Sequence, residues 1–332
     1  MLVSLSLRVA VSVGAPFLLA IELSLMKFPQ MLTYTLPMAT LMGVLLALGK
    51  LSQSSEIIAI QACGQGFWRT IRPAIIFGFI VTLFGLFVND VLAPAASYRY
   101  EKLFYQMVNN NPLPRIKRNL ILPDYEGGKL KNIIYAEEFD PDSQTFYNVS
   151  YFEYENGKPK ITTQAERMIW TDEAWYLEEG QTINHNSTTT TEITFNRSIQ
   201  PVPTRYKPND VIVIDKKPEQ MGIRELKRHI NLYQGQGEKL RKLEIDWHQK
   251  IAIPFASLIF ALLGAALAVS SPRSGSARGF GLSIAIVFIY YVLLTLSSVL
   301  GEGGSLPPLL AAWTQNIIVG TWGIWLAIKR GR

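Results

Sequence analysis

Five stretches of the chain run about twenty residues with scarcely a charged side chain. They are 31–48 ("MLTYTLPMATLMGVLLAL"), 73–92, 251–270 ("IAIPFASLIFALLGAALAVS"), 279–300 and 306–328. A helix of that length matches the roughly 30 Å hydrocarbon core of a bilayer, so each is expected to span a membrane. Residues 1–25 are harder to place, because Arg8 and Glu22 leave 13 uncharged residues between them. That length suits an interfacial or re-entrant piece; it becomes a sixth span if Arg8 snorkels to the headgroups.

From about 115 to 215 the period shortens. Runs rich in Tyr, Val, Ile, Thr and Phe alternate with the turn signals "DYEGGKL", "FDPDSQ", "YENGKP", "WTDEA" and "EEGQT". Asn156-Gly157 reads as the tip of a hairpin, since both residues accept positive φ. "TTTTEITFN" puts Ile193 and Phe195 on one face and Glu192, Thr194 and Asn196 on the other. About seven strands at this spacing predict a sandwich or jelly roll. Such a domain has sheet edges to manage. An open edge or a cleft could receive another sheet or hold an acyl chain, or the domain is simply self-contained. Beyond the strands, Ile223, Leu226, Ile230 and Tyr233 recur at helical spacing, and Leu240 and Leu243 follow a break at Gly235 and Gly237. This is a connector that returns the chain to the membrane.

Between two spans sits "GKLSQSSEIIAIQACGQGFWRTIRP", residues 49–73. It is too polar to cross a bilayer and too regular for a slack loop. A short amphipathic helix is expected over about 54–68. Ser54 can cap it, and Glu56 then falls in the first turn, where the helix dipole favours a carboxylate. Ile57, Ile60 and Gly64 lie on one face, and Phe67 and Trp68 close the next turn. A helix pinned between spans can transmit a push and insert a small apolar face into a partner's groove. It can equally lie flat in the headgroup region.

Composition sharpens the layout. Of 332 residues, 48% are hydrophobic and 17% charged, and the charge is concentrated in the middle of the chain. This describes a membrane protein with a soluble insert. The net charge is +6, but no basic run interleaved with aromatics exists to follow nucleic-acid phosphates. Lys50, Arg69 and Arg72 lie in the 49–72 loop, Arg273 and Arg278 in "SPRSGSAR", and Lys329, Arg330 and Arg332 in the tail, whereas "GEGGSLP" has no cation. By the positive-inside rule these basic loops are cytoplasmic and residues 93–250 are extracytoplasmic. The single cysteine, Cys63, excludes a disulfide framework within the insert.

Catalytic constellations are missing. His185, His229 and His248 have no ligand-like spacing, and "GQG" at 64–66 and 235–237 lacks the Lys-Ser/Thr of a phosphate loop. No nucleophile elbow occurs. Asp90 closes a span and reads as an interfacial anchor rather than a proton carrier. The chain is therefore expected to be no enzyme, with no cofactor, metal or catalytic residue, and any motor must be a separate chain.

"LPMATLMGVLLALGKLSQSSEIIAIQACG" resembles the second span and coupling helix of the LptF/LptG (YjgP/YjgQ) permease family. "DWHQKIAIPFASLIFALLGAALAVSSPRSGSARGFGLSIAIVFIYYVLL" resembles its fourth and fifth spans, and "SLPPLLAAWTQNIIVG" its sixth. The resemblance implies an α-helical transmembrane bundle of five to six spans with an inserted extracytoplasmic all-β jelly-roll-like domain. It implies a permease subunit of an ABC-type transporter in the bacterial inner membrane, extracting lipopolysaccharide or a related lipid. Its implied partners are a cytoplasmic LptB-like ATPase, a second permease of the family and a periplasmic LptC- or LptA-like jelly-roll protein. Glu56 then matches the family's acidic coupling-helix residue. In that family a complete first span precedes a segment like "PFLLAIELSLMKFPQ"; here about fifteen residues do, so that span is expected to be shortened or missing. The expected divisions are 1–95, a membrane half with the coupling helix; 96–248, the periplasmic domain and connector; and 249–332, three spans. The alternative is a membrane-anchored scaffold whose β-domain docks envelope proteins without transport.

Overall fold

The computed structural model describes residues 17–109, 117–126, 129–155, 157–185, 190–214, 216–233, 237–269 and 276–331. Most of the undecided 1–25 stretch lies outside them. Its described end belongs to one long helix, α1 (Phe17–Gln53), which also contains the 31–48 span and carries Pro29 and Pro37 inside it. Next come α2 (Glu56–Ala62) and α3 (Phe67–Phe87). A π-helical turn over Val88–Leu92 joins α3 to α4 (Ala93–Asn109) without a break. Beyond the β-domain, α5 (Pro208–Ile214) and α6 (Ile223–Leu232) lead into α7 (Gly237–Val269), α8 (Ser276–Glu302) and α9 (Pro308–Gly331).

Four helical segments are long and apolar enough to cross a membrane among the described residues: Ile21–Gln53, Phe67–Tyr105, Lys239–Val269 and Gly279–Glu302. The expected 306–328 span falls on α9, which has the length but is not among the four. Gln315 and Asn316 interrupt its apolar run, and both are buried. Asn316 donates from Nδ2 to the Ala252 carbonyl at 2.7 Å and accepts from the Tyr290 hydroxyl at 2.9 Å. Polar side chains inside a helix bundle are tolerated where neighbouring helices satisfy them. Glu22, which cuts short the uncharged run near the N-terminus, pairs with Arg99 of α4 at 2.9 Å.

Small residues let the helices approach closely. A Cβ on Gly78 would lie 2.4 Å from the Ala261 Cβ, and one on Gly301 would lie 2.4 Å from that of Ala311. Leu41, Leu45, Phe260 and Tyr290 fill one part of the bundle, and Val44, Phe67, Ile71 and Ala265 another.

The β-domain is a six-stranded antiparallel sheet in sequence order: β1 (Lys117–Glu126), β2 (Lys129–Asp140), β3 (Thr145–Glu155), β4 (Lys158–Thr171), β5 (Ala174–His185) and β6 (Thr190–Arg197). Each strand pairs with its sequence neighbour, so the described residues form a meander of six strands, where about seven in a sandwich or jelly roll are expected from the sequence. The 156–157 hairpin forms, with Glu155 facing Lys158 and Gly157 at φ 78; Asn156 lies outside the described residues. Another two-residue turn places Asp172 and Glu173 at φ 53 and 59 between paired Thr171 and Ala174. "EEGQT" is no turn. It lies inside β5, with Glu179 at φ 53.

One face of the sheet packs around Phe139, Phe146 and Trp175, whose ring centroids are 4.6 Å (Phe139–Phe146) and 4.8 Å (Phe146–Trp175) apart. Val202, Tyr206 and Val211 cover this core. The Trp175 indole donates to the Tyr206 carbonyl at 2.6 Å, and the Tyr206 hydroxyl donates to the Pro123 carbonyl at 2.5 Å. Phe195 packs against the core, but its expected face-mate Ile193 is 60% exposed on the edge strand β6.

The chain divides into two compact units. One comprises residues up to Val108, Lys217–Leu226 and Arg241–Arg332; the other comprises Asn109–Lys216 and Lys227–Leu240. The helix that leaves the first half thus runs past residue 95.

Candidate functional site

The connection between α1 and α3 is built from a turn, a two-turn helix and a glycine break. Lys50 sits in the last turn of α1, where the helix dipole favours a cation. Ser54 then donates its backbone N–H to the Lys50 carbonyl at 3.0 Å. Ser55, at φ 61, stands at the N-cap of α2 without a side-chain cap bond. The expected cap, Ser54, instead donates its hydroxyl to the Glu56 carboxylate at 2.6 Å. This bond keeps Glu56 at the helix start, and the side chain is exposed.

The six predicted residues separate into two groups. Ile57 is 2% exposed and Phe67 6%, so these anchor the segment to the bundle. Glu56, Ile60, Gly64 and Trp68 are exposed. The pattern behind the expected 54–68 helix does not continue unbroken, because α2 ends at Ala62. Gly64 has φ 85, which favours glycine, and Gly66 is extended. Phe67 and Trp68 are therefore the first turn of α3 and not the last of α2. Their rings meet edge to face at 5.7 Å.

Sequence reasoning missed Ile58, which is 53% exposed beside Ile60 at 38%. Its signal was the unbroken "EIIAI", where one isoleucine must face inward and the next outward. Two residues apart, Ile58 and Ile60 emerge on nearly opposite sides of α2, flanking the buried Ile57, so α2 presents a carboxylate and two separate isoleucine side chains outward. Apolar side chains of this kind suit insertion into a partner's groove.

The C-terminal end of α9 lies at this same end of the bundle. A Cβ on Gly331 would sit 2.7 Å from the Trp68 indole nitrogen. The basic tail, Lys329 and Arg330, therefore neighbours the basic 49–72 connection. Arg241 at the start of α7 donates to the Glu302 carbonyl at 3.2 Å, beside the cation-free loop after α8. Most of the 271–278 loop lies outside the described residues.

Asp90, in the π-helical turn, accepts the Ile223 backbone N–H at 2.6 Å, and the Trp247 indole donates to the Ile223 carbonyl at 3.1 Å. Asn89 donates to the Lys250 carbonyl at 2.7 Å. These bonds are structural and bring together no catalytic pair.

Comparison with known proteins adds a family. The model of the lipopolysaccharide export system permease LptF/LptG family matches residues 2–329. The chain is 21% identical over 311 residues to lipopolysaccharide export system permease protein LptG of Escherichia coli K12, covering 92% of this chain and 84% of that one. It is 22% identical to the Haemophilus influenzae LptG over 315 residues, 89% of this chain and 81% of the other. It is 23% identical to LptF of Escherichia coli K12 over 328 residues, 94% and 83% of the two chains.

Proposed function

The chain belongs to the lipopolysaccharide export system permease LptF/LptG family, and from that premise we propose that it is one permease half of an ATP-driven exporter in the bacterial inner membrane. Its cargo is lipopolysaccharide or a related lipid. A separate nucleotide-binding chain grips α2 from the cytoplasm, and a second permease of the same family completes the lipid cavity. ATP-driven closure of the motor pushes α2. Because Ile57 and Phe67 anchor that segment in the bundle, the push reaches α1 and α3 and narrows the cavity.

The observation that carries this reading is the division of labour in α2, with Ile57 buried and Glu56, Ile58 and Ile60 presented outward. A helix merely resting in the headgroups buries its apolar face in lipid, whereas here Ile57 is buried within the protein itself and Ile58 and Ile60 are left exposed. The basic loops favour placing this end in the cytoplasm, which puts the β-domain in the periplasm. There, β1 and β6 are each paired on one side only among the described strands. An unpaired edge is a template for another strand, and it suits handover of lipid to a periplasmic jelly-roll protein.

Purification from native membranes tests the proposal. The tagged chain is expected to bring down a nucleotide-binding subunit, and Ile58→Asp/Ile60→Asp is expected to lose it. A chain that purifies only with periplasmic proteins is a scaffold, and the transport reading is then wrong.

A further inference from the structure

The outer face of α3 carries chemistry that the coupling reading does not use. Arg69 and Arg72 stand three residues apart, so their side chains emerge on one side of the helix, and both are exposed. Neither guanidinium has a hydrogen-bond or ion-pair partner among the described residues. The one carboxylate of the connection, Glu56, is engaged by Ser54.

Below the arginines, Pro73, Ile76, Phe77 and Ile80 continue the same face, and the six residues line a groove of about 460 Å³. Ile76, Phe77 and Ile80 are 48%, 49% and 58% exposed. The rise from Arg69 to Ile80 is roughly 16 Å. The groove therefore changes from cationic to wholly apolar over the depth at which a lipid changes from headgroup to chain.

Two guanidiniums side by side favour a phosphate, which accepts several charge-assisted hydrogen bonds at once, and most of all one whose negative charge no neighbouring choline offsets. The isoleucines and phenylalanine below select a flexible hydrocarbon. An acidic protein surface would satisfy the arginines but leave the apolar part of the groove, inside a span, uncovered. We propose that this groove binds an anionic phospholipid, its phosphate between Arg69 and Arg72 and one acyl chain along Pro73, Ile76, Phe77 and Ile80. The placement rests on the reading that α3 spans the membrane with its Phe67 end at the cytoplasmic face. The bound lipid then steadies the first turn of α3, directly after the segment the motor is proposed to grip.

The test measures binding of phosphatidylglycerol and of phosphatidylcholine to the purified full chain by native mass spectrometry. Each arginine contributes roughly fivefold toward an anionic lipid at a membrane surface, and the pair roughly thirtyfold. Arg69→Gln/Arg72→Gln is expected to erase the preference for phosphatidylglycerol, the single variants to lower it about fivefold, and Arg69→Lys/Arg72→Lys to retain most of it. Thermal unfolding of each variant reports on folding, and the exposed single variants serve if the double one is unstable. A preference that survives Arg69→Gln/Arg72→Gln overturns the proposal. So does equal binding of both lipids by the unsubstituted chain, with the arginines protected only when a nucleotide-binding subunit is added; that result assigns them to a protein. Lipid binding is measured before any nucleotide-binding subunit is added, so failure of coupling and failure of lipid binding are read separately.

Discussion

The carboxylate of Asp90 accepts the backbone N–H of Ile223 at 2.6 Å, across 133 residues of chain. Ile223 opens α6, and the first N–H groups of a helix have no partner within it. Asp90 supplies one from the π-helical turn after α3, while Trp247 of α7 holds the Ile223 carbonyl. Gly222 fits closely against this contact, since a Cβ there would lie 3.0 Å from the carboxylate. The connector's first turn is thereby tied to two of the long helices.

Replacing Asp90 with Ala leaves that N–H unmatched and is expected to destabilise the chain by about 1–3 kcal/mol. Asp90→Asn keeps an acceptor and is expected to lose less. Thermal unfolding measures both, and limited proteolysis around residues 216–222 is expected to accelerate in Asp90→Ala.

Ile57 and Ile58 are neighbours with opposite surroundings. Ile57→Ala removes a buried side chain and is expected to cost about 2–5 kcal/mol. Ile58→Ala and Ile60→Ala are expected to leave unfolding within about 0.5 kcal/mol of the parent while weakening capture of the nucleotide-binding subunit. Chemical denaturation and co-purification, run on the same variants, separate anchor from contact.

Trp175 is 1% exposed and donates to the Tyr206 carbonyl at 2.6 Å. Trp175→Phe keeps most of the apolar volume but orphans that carbonyl, at an expected cost of about 1–3 kcal/mol. Trp175→Ala also opens a cavity, and about 3–5 kcal/mol is expected. Loss of near-ultraviolet dichroism on heating reports the β-domain transition in each variant.

Cys63 is the single cysteine of the sequence, and its side chain is exposed at the end of α2. A membrane-impermeant maleimide is expected to label it in inverted inner-membrane vesicles and not in intact spheroplasts. Labelling from the outside reverses the proposed orientation of every loop.

Much of this layout was legible because it depends on local pattern. Spans follow from the length of uncharged runs, and the 156–157 hairpin follows from an Asn-Gly pair between alternating residues. The errors also have local or distant causes that can be named. "EEGQT" reads as a turn, yet Gly180 lies within β5, where a Cβ would meet the Gln164 carbonyl at 2.4 Å and only glycine fits. The glycine serves close strand packing, and the described residues hold six strands where about seven are expected. Helical spacing carried the reading of α2 through to Trp68, although Gly64 and Gly66 were the signal that the helix stops. The partner of Asp90 could not be read at all. No spacing rule links a residue to one 133 positions away.

If α2 is where the motor acts, Glu56 is the most direct probe of it. The side chain is exposed and contacts only Ser54 among the hydrogen bonds of the segment, so its removal tests a partner and not the fold. In the assembled complex, Glu56→Ala is expected to lower lipid-stimulated ATP hydrolysis while the unfolding temperature of the permease stays unchanged. Unaltered hydrolysis together with unaltered capture of the nucleotide-binding subunit would mean that α2 is not where the motor acts.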